Sequence, residues 1–256
     1  MAKRRKSSKK PLTKLIALII IALIVLISQS KDIESFLNLG GNETNSQNQV
    51  SNATQFDFNK YPNYYQPLGE ANVKASDYPK EGKYKYSKID SQGRTQTAKA
   101  TINYKSFAAS KGERQQFKAG SEPSGWGHND KVSIPKSDGG SYNGYMYNRS
   151  HLIGDALGGD AIKENAVTGT RNQNVGEGNG GMRYSESNVE NYMDDNHDGI
   201  VYYEAKPVYK DNEKLPRYVD VTFMSKDKQL NEKVRVYNNA NGYDINYTDG
   251  TFSKAS

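Results

Sequence analysis

The segment from Asn148 to Gly176 constrains this chain more than any other. It reads Asn148-Arg149-Ser150-His151-Leu152-Ile153-Gly154-Asp155-Ala156-Leu157-Gly158-Gly159 and resumes as Asn165-Ala166-Val167-Thr168-Gly169-Thr170-Arg171-Asn172-Gln173-Asn174-Val175-Gly176. A strand-like run, Tyr142 to Arg149, with Tyr145, Tyr147 and Arg149 on one face, delivers His151 to a glycine-broken loop. Thr170, with Gln173 three residues on, fits a capping box. A helix therefore opens there with Asn174 in its first turns, and Gly176, Gly178, Gly180 and Gly181 keep it short.

The chain has three histidines, His128, His151 and His197, and a lone histidine is more often structural than reactive. His151 differs because a glycine-broken loop and a cluster of amides come after it in the chain. Neutral imidazole suits proton abstraction from water at pH 7. Asn174 offers one hard oxygen, and Mg²⁺ commonly combines few protein ligands with waters and phosphate oxygens. One base and one weakly held cation suit hydrolysis of a phosphodiester, whose added charge needs an electrophile.

These residues resemble the DNA/RNA non-specific endonucleases of the ββα-metal, or His-Me finger, class, in particular the streptococcal secreted DNases (streptodornases) and DNA-entry nucleases. The likeness runs from about Leu68 to the C-terminus, and Pro123-Ser124-Gly125-Trp126 looks like a further landmark. The family motif Asp-Arg-Gly-His reads Asn148-Arg149-Ser150-His151 here, as in the streptodornase variant. The resemblance implies His151 as general base, Arg149 near the scissile phosphate and Asn165 at the end of the connecting loop. It also implies Asn174 as the ligand of Mg²⁺ (or Mn²⁺) and Glu186 as an acid acting through the water shell of the metal. Asn172 is the alternative to Asn174 if the alignment slips. Loss of the motif acid removes one carboxylate from beside His151. The implied activity is cleavage of DNA, with RNA as a further substrate, leaving 5′-phosphate and 3′-hydroxyl ends, with recognition mainly through phosphates.

The rest of the chain indicates where such a protein works. Met1 to Lys14 carries seven cations and no acid, and Leu15 to Ile27 is apolar throughout. That order fits an export signal, with Ser28 and Ser30 at the −3 and −1 positions of a cleavage site. Uncleaved, residues 15–27 make a short membrane anchor, the basic flank staying inside. Removing those seven cations from the formal charge of +6 leaves −1, so the basic balance belongs to the leader and any anion-binding surface is local. The absence of cysteine excludes a thiol nucleophile and Cys-ligated metals, and fits Gram-positive secretion. The chain thus reads as a leader or anchor over 1–30, a polar Asn-rich linker over 31–67 and a folded domain over 68–256 of a secreted or surface-attached protein.

Within that domain the expected class is α+β, a central antiparallel sheet with flanking helices. Strands are expected over Thr95 to Tyr104, Gly199 to Tyr209 and Arg217 to Met224, and a helix over Ser110 to Phe117. Ser187 and Glu190 match a second capping box, opening a helix with Val189, Tyr192 and Met193 on one face. Asp194-x-Asn196-x-Asp198-Gly199 imitates a calcium loop, but position 12 is Ala205, so a helix-to-strand turn with an exposed His197 is expected instead. The glycine-rich run Gly178 to Gly181 lacks the Lys-Ser/Thr of a P-loop. Arg94, Lys99, Lys105, Lys111, Arg114 and Lys118 fit a phosphate-tracking face and a solvated face equally. Two other classes fit the same leader and linker: a non-catalytic DNA-binding receptor for uptake at the cell surface, and an adhesin that keeps the fold without the chemistry.

Overall fold

Alternation of apolar and polar residues along four strands builds the frame. In the computed structural model, which describes residues 56–112 and 115–256, β3 (Ala98–Asn103), β8 (Ile200–Val208), β9 (Tyr218–Ser225) and β10 (Asn231–Tyr237) form the centre of a six-stranded sheet. β1 (Tyr65–Gly69) and β2 (Lys83–Tyr86) form its edges, in the order β1-β10-β9-β8-β3-β2, every pair antiparallel. One face carries Ala100, Ile102, Val201, Tyr203, Val221, Phe223 and Val234, all fully buried. The other face pairs charges across strands. Arg235 meets Asp220 at 2.8 Å and Lys99 meets Glu204 at 2.7 Å, each pair directly opposite in register.

Two helices and a loop cover the apolar face. Helix α1 (Tyr104–Ser110) contributes Phe107, and α2 is the short helix Arg171–Val175. Helix α3 (Met182–Asp195) contributes Met182, Val189 and Met193. Leu152, Ile153, Leu157 and Val167 join the same core. The first three follow β6, and Val167 lies within β7, of a separate two-stranded ladder, β6 (Tyr147–His151) with β7 (Ala166–Thr170). The chemistry-bearing hairpin is thus seated on the sheet by its own apolar residues. Two further two-stranded ladders, β4 (Lys131–Pro135) with β5 (Ser141–Tyr145) and β11 (Tyr243–Ile245) with β12 (Phe252–Lys254), share a smaller core of Ile134, Met146, Tyr147, Leu215 and Tyr247.

Several expectations shift. The expected strand over Tyr142 to Arg149 is two strands in different ladders, broken at Met146, so Tyr145 is 54% exposed while Tyr147 is buried. The first helix precedes its expected place at Ser110 to Phe117. Asn103 and Ser106 form a reciprocal cap, Ser106 N donating to Asn103 Oδ1 at 3.0 Å and Asn103 N to Ser106 Oγ at 3.2 Å. Helix α3 begins at Met182, before Ser187, whose hydroxyl bonds Asn179 Oδ1 instead of capping. The folded part also reaches back past Leu68: Tyr64 is fully buried, stacks on Phe56 and leads directly into β1. The leader or anchor over 1–30, its cleavage site, the linker up to 55 and Arg114 lie outside the described residues. Among the described residues no helix is long and apolar enough to cross a membrane.

One buried amide fastens the hairpin to the sheet. Asn238 accepts from Thr170 N at 2.8 Å and donates to Thr168 O at 3.0 Å and Pro216 O at 2.8 Å. Replacing Asn238 by Ala strands three backbone groups, so urea unfolding is expected to show a loss of about 2–4 kcal/mol. A loss under about 0.5 kcal/mol, the range of an ordinary surface change, would mean that this amide does not hold the hairpin.

Candidate active site

The antiparallel register His151↔Ala166 to Tyr147↔Thr170 brings the chain back beside its own motif before the helix starts. Thr170 then caps α2, its hydroxyl accepting from Gln173 N at 2.9 Å. The cap is single, since the Gln173 side chain has no hydrogen-bond partner and sits against Gly169. Gly176 at φ 54° ends the helix immediately after Val175. The outcome is strand, loop, strand, helix, with Ser150 Oγ donating to Asn174 Oδ1 at 3.1 Å across the joint.

A cleft of about 540 Å³ opens here, walled by His151, Gly154, Asp155, Asn174, Arg183 and Glu186 among others. A second hollow of about 300 Å³ is lined by Asn148, Arg149, Phe117 and again His151, Asp155 and Asn174. His151 and Asn174 therefore face shared space large enough for a phosphate. Asn172 is buried and lines neither hollow.

Each expected residue has a definite place. The Arg149 guanidinium lies 5.2 Å from the Phe117 ring centre and 5.7 Å from that of Trp126, and among the described residues no carboxylate pairs with it. Asn165 does not line the cleft. It is fully buried, accepting from Ile153 N and donating to Ile153 O and Asp160 O, each at 2.9 Å, so it holds the loop after His151 in shape. Glu186 does face the cleft, its side chain 13% exposed. Desolvation pushes its carboxyl up to about 7, opposed by Arg183 at 3.7 Å and assisted by Glu190 and Asp155.

Sequence reasoning missed two groups, Asp155 and Arg183. Asp155 Oδ1 lies 3.8 Å from His151 Nε2, so a carboxylate stands beside the imidazole although Asn148 replaces the motif acid. The His151–Asp155 spacing was visible in the chain, but only the loop conformation turns it into proximity. Arg183 bonds Glu190 through both guanidinium nitrogens and also faces Glu186. Its signal was the Arg183, Glu186, Glu190 spacing, which lies on one helical face. Lys111, paired with Asp194, also lines the cleft. The calcium-like segment is a helix-to-strand turn with His197 exposed and stacked on Tyr104. Among the described residues no group of three or more His, Cys, Asp or Glu is arranged to hold a metal.

The chain matches the DNA/RNA non-specific endonuclease family over residues 71–227. It belongs to that family. The chain is accordingly a nuclease, built on the ββα-metal fold with a central antiparallel sheet. A deoxyribonuclease of Streptococcus dysgalactiae subsp. equisimilis is 33% identical over 240 residues, spanning 75% of this chain and 73% of the relative. Sda1 nuclease, solved with a bound zinc ion, superposes with a TM-score of 0.75 at 32% identity, covering 78% of this chain and 100% of that one. NucA from Streptococcus agalactiae, solved with a magnesium ion, gives 0.62 at 24% identity over 82% and 97% of the two chains, a likeness of fold.

The raised Glu186 pKa couples this carboxyl to stability. Its folded value, about 7, exceeds the ordinary 4.5, so the metal-free folded state holds a proton that the unfolded state releases between those values. Stability from this group is full below about pH 4.5 and lost as pH rises to 7, by roughly 3 kcal/mol at most. Chemical denaturation in EDTA should show a steeper decline over that range in the native protein than in Glu186→Gln. Parallel profiles would place the carboxyl in a solvated setting.

Proposed function

We propose that this chain is an exported endonuclease that hydrolyses phosphodiesters of DNA, and also of RNA, with little sequence preference, using a divalent cation, Mg²⁺ or Mn²⁺. The observation carrying the reading is the convergence of His151 and Asn174 on one open cleft, with the guanidinium of Arg149, which no carboxylate among the described residues pairs, lining the adjoining space. The deoxyribonuclease relative supports DNA as substrate, and the metal-bound nucleases support a cation. The basic, then apolar, residues 1–27 support export or surface attachment.

His151 takes a proton from water as its oxygen attacks phosphorus in line. The bond to the 3′ oxygen breaks, and that oxygen is protonated from solvent, giving 5′-phosphate and 3′-hydroxyl ends. Asp155 beside Nε2 favours the imidazolium formed in this step. Arg149, whose guanidinium lies within cation–π distance of the Phe117 and Trp126 rings, meets a phosphate by paired N–H groups. Asn174 would supply one hard oxygen to the cation, Ser150 orients that amide, and Glu186 would accept hydrogen bonds from the hydration shell. When bound, the cation supplies Lewis-acid charge against the negative charge that builds on phosphorus oxygens. Asn165 is a positioning residue here, acting through the loop that carries Asp155.

Plasmid digestion with Mg²⁺, blocked by EDTA, separates this reading from a receptor or an adhesin; gel retardation without cutting favours the receptor. His151→Ala is expected to lower kcat by about 10²–10⁴-fold while DNA retardation persists. Full activity in that variant would refute the role of the imidazole. Asn174→Ala is expected to raise the Mg²⁺ requirement sharply, and an unchanged metal titration would move the ligand to Asn172.

A further inference from the structure

Gly154 has no conformational reason to be glycine. Its backbone, at φ −63° and ψ 155°, suits any L-residue. What a side chain would meet there is Glu186. A Cβ at Gly154 would lie 2.5 Å from Glu186 Oε1, 2.7 Å from Cδ and 3.2 Å from Oε2, well inside the separation at which such atoms attract.

Neither wall of this contact has room to retreat. On the loop side, Gly154 O accepts from Leu157 N at 2.9 Å and Gly159 N at 3.0 Å, and Ile153 is gripped at both its N–H and its carbonyl by Asn165. On the helix side, Met182, Val189 and Met193 anchor α3 in the core. The carboxylate is backed by Arg183, itself locked to Glu190. A methyl group at 154 therefore displaces the one movable part, the Glu186 carboxylate, within the cleft that His151 and Asn174 line.

We propose that Gly154 is a positioning residue whose missing side chain sets how closely the Glu186 carboxylate approaches the loop after His151, and so where that acid stands in the catalytic cleft. The proposal rests on the reading of Glu186 as the acid serving the hydration shell of the cation. It is a steric device: the loop is the stop against which the carboxylate is seated.

The test is a double-substitution cycle in the full-length chain. Gly154→Ala is expected to lower kcat by on the order of 10- to 100-fold, with little change in KM for DNA, because a displacement near 1 Å at a reacting centre has that size of effect. Mn²⁺ binding, followed by electron paramagnetic resonance without substrate, is expected to weaken in step. Glu186→Asp shortens the acid by one methylene and is impaired on its own; in that background the added methyl of Gly154→Ala is tolerated and costs little more. The same cycle serves if Gly154→Ala folds poorly, because Glu186→Asp then restores its melting temperature. Native kcat and Mn²⁺ affinity in Gly154→Ala, or a defect of equal size in both backgrounds, overturns the proposal while leaving Glu186 in its role. Full activity in both Glu186→Asp and Glu186→Gln overturns the role of Glu186 and the proposal with it.

Discussion

The register of one five-residue ladder fixes everything at the site. His151 pairs with Ala166 at one end of β6 and β7, and Tyr147 pairs with Thr170 at the other. Thr170 is both the last ladder residue and the cap of α2, so the pairing that orients His151 also sets the start of the helix bearing Asn174. A slip by one residue would turn each side chain to the opposite face. Two-stranded ladders are marginal alone. This one is held by Leu152, Ile153 and Val167 in the sheet core and by Thr95, whose hydroxyl lies 2.6 Å from Ala166 O.

Charge in the cleft is arranged with economy of strong ligands. Glu186, Glu190 and Asp155 stand near one another, but Arg183 engages the first two and Asp155 faces the imidazole. That leaves an amide, not a carboxylate, at the end of the short helix. If Asn174 is the ligand proposed above, its neutral oxygen would hold a hard cation weakly and leave most of the coordination to water and phosphate. Asn148 stands where the family motif has an acid, but Asp155, four residues beyond the histidine on a one-turn 3-10 helix (Asp155–Leu157), brings a carboxylate beside His151 through the loop fold.

What was legible in the chain was local. The cap at Thr170, the stop at Gly176 and three of the four central strands, β3, β8 and β9, each depend on neighbours in sequence, and they stand where the residues indicated; β10 was not expected. What was not legible depended on distant partners. Met146 breaks the expected strand because Arg171 N donates to its carbonyl at 2.8 Å, tying that point to the head of α2. Helix α3 starts at Met182 because Gly181 N donates to Asn63 O, a residue in the stretch that composition assigned to a linker. That stretch reads as polar and Asn-rich, yet Phe56, Tyr61 and Tyr64 supply aromatic surface that packs on Tyr237 and on one another. Asparagine-rich composition hid a segment whose burial is carried by rings.

Asn165 and Asn238 show why a family-like asparagine need not touch substrate. A loop crossing a core exposes peptide groups that neither strand nor helix satisfies, and burying them unpaired is costly. A primary amide offers two donors and an acceptor on one short side chain, enough to close several such groups at once. Asn165 closes the start of the β6–β7 loop on the His151 side, and Asn238 closes the end of β7 on the Asn174 side. The two flanks of the hairpin are therefore each braced by a buried amide whose two donors and whose oxygen are all engaged by backbone groups or loop carbonyls. Precision in the cleft comes from these neutral braces, which fix backbone without adding charge to it.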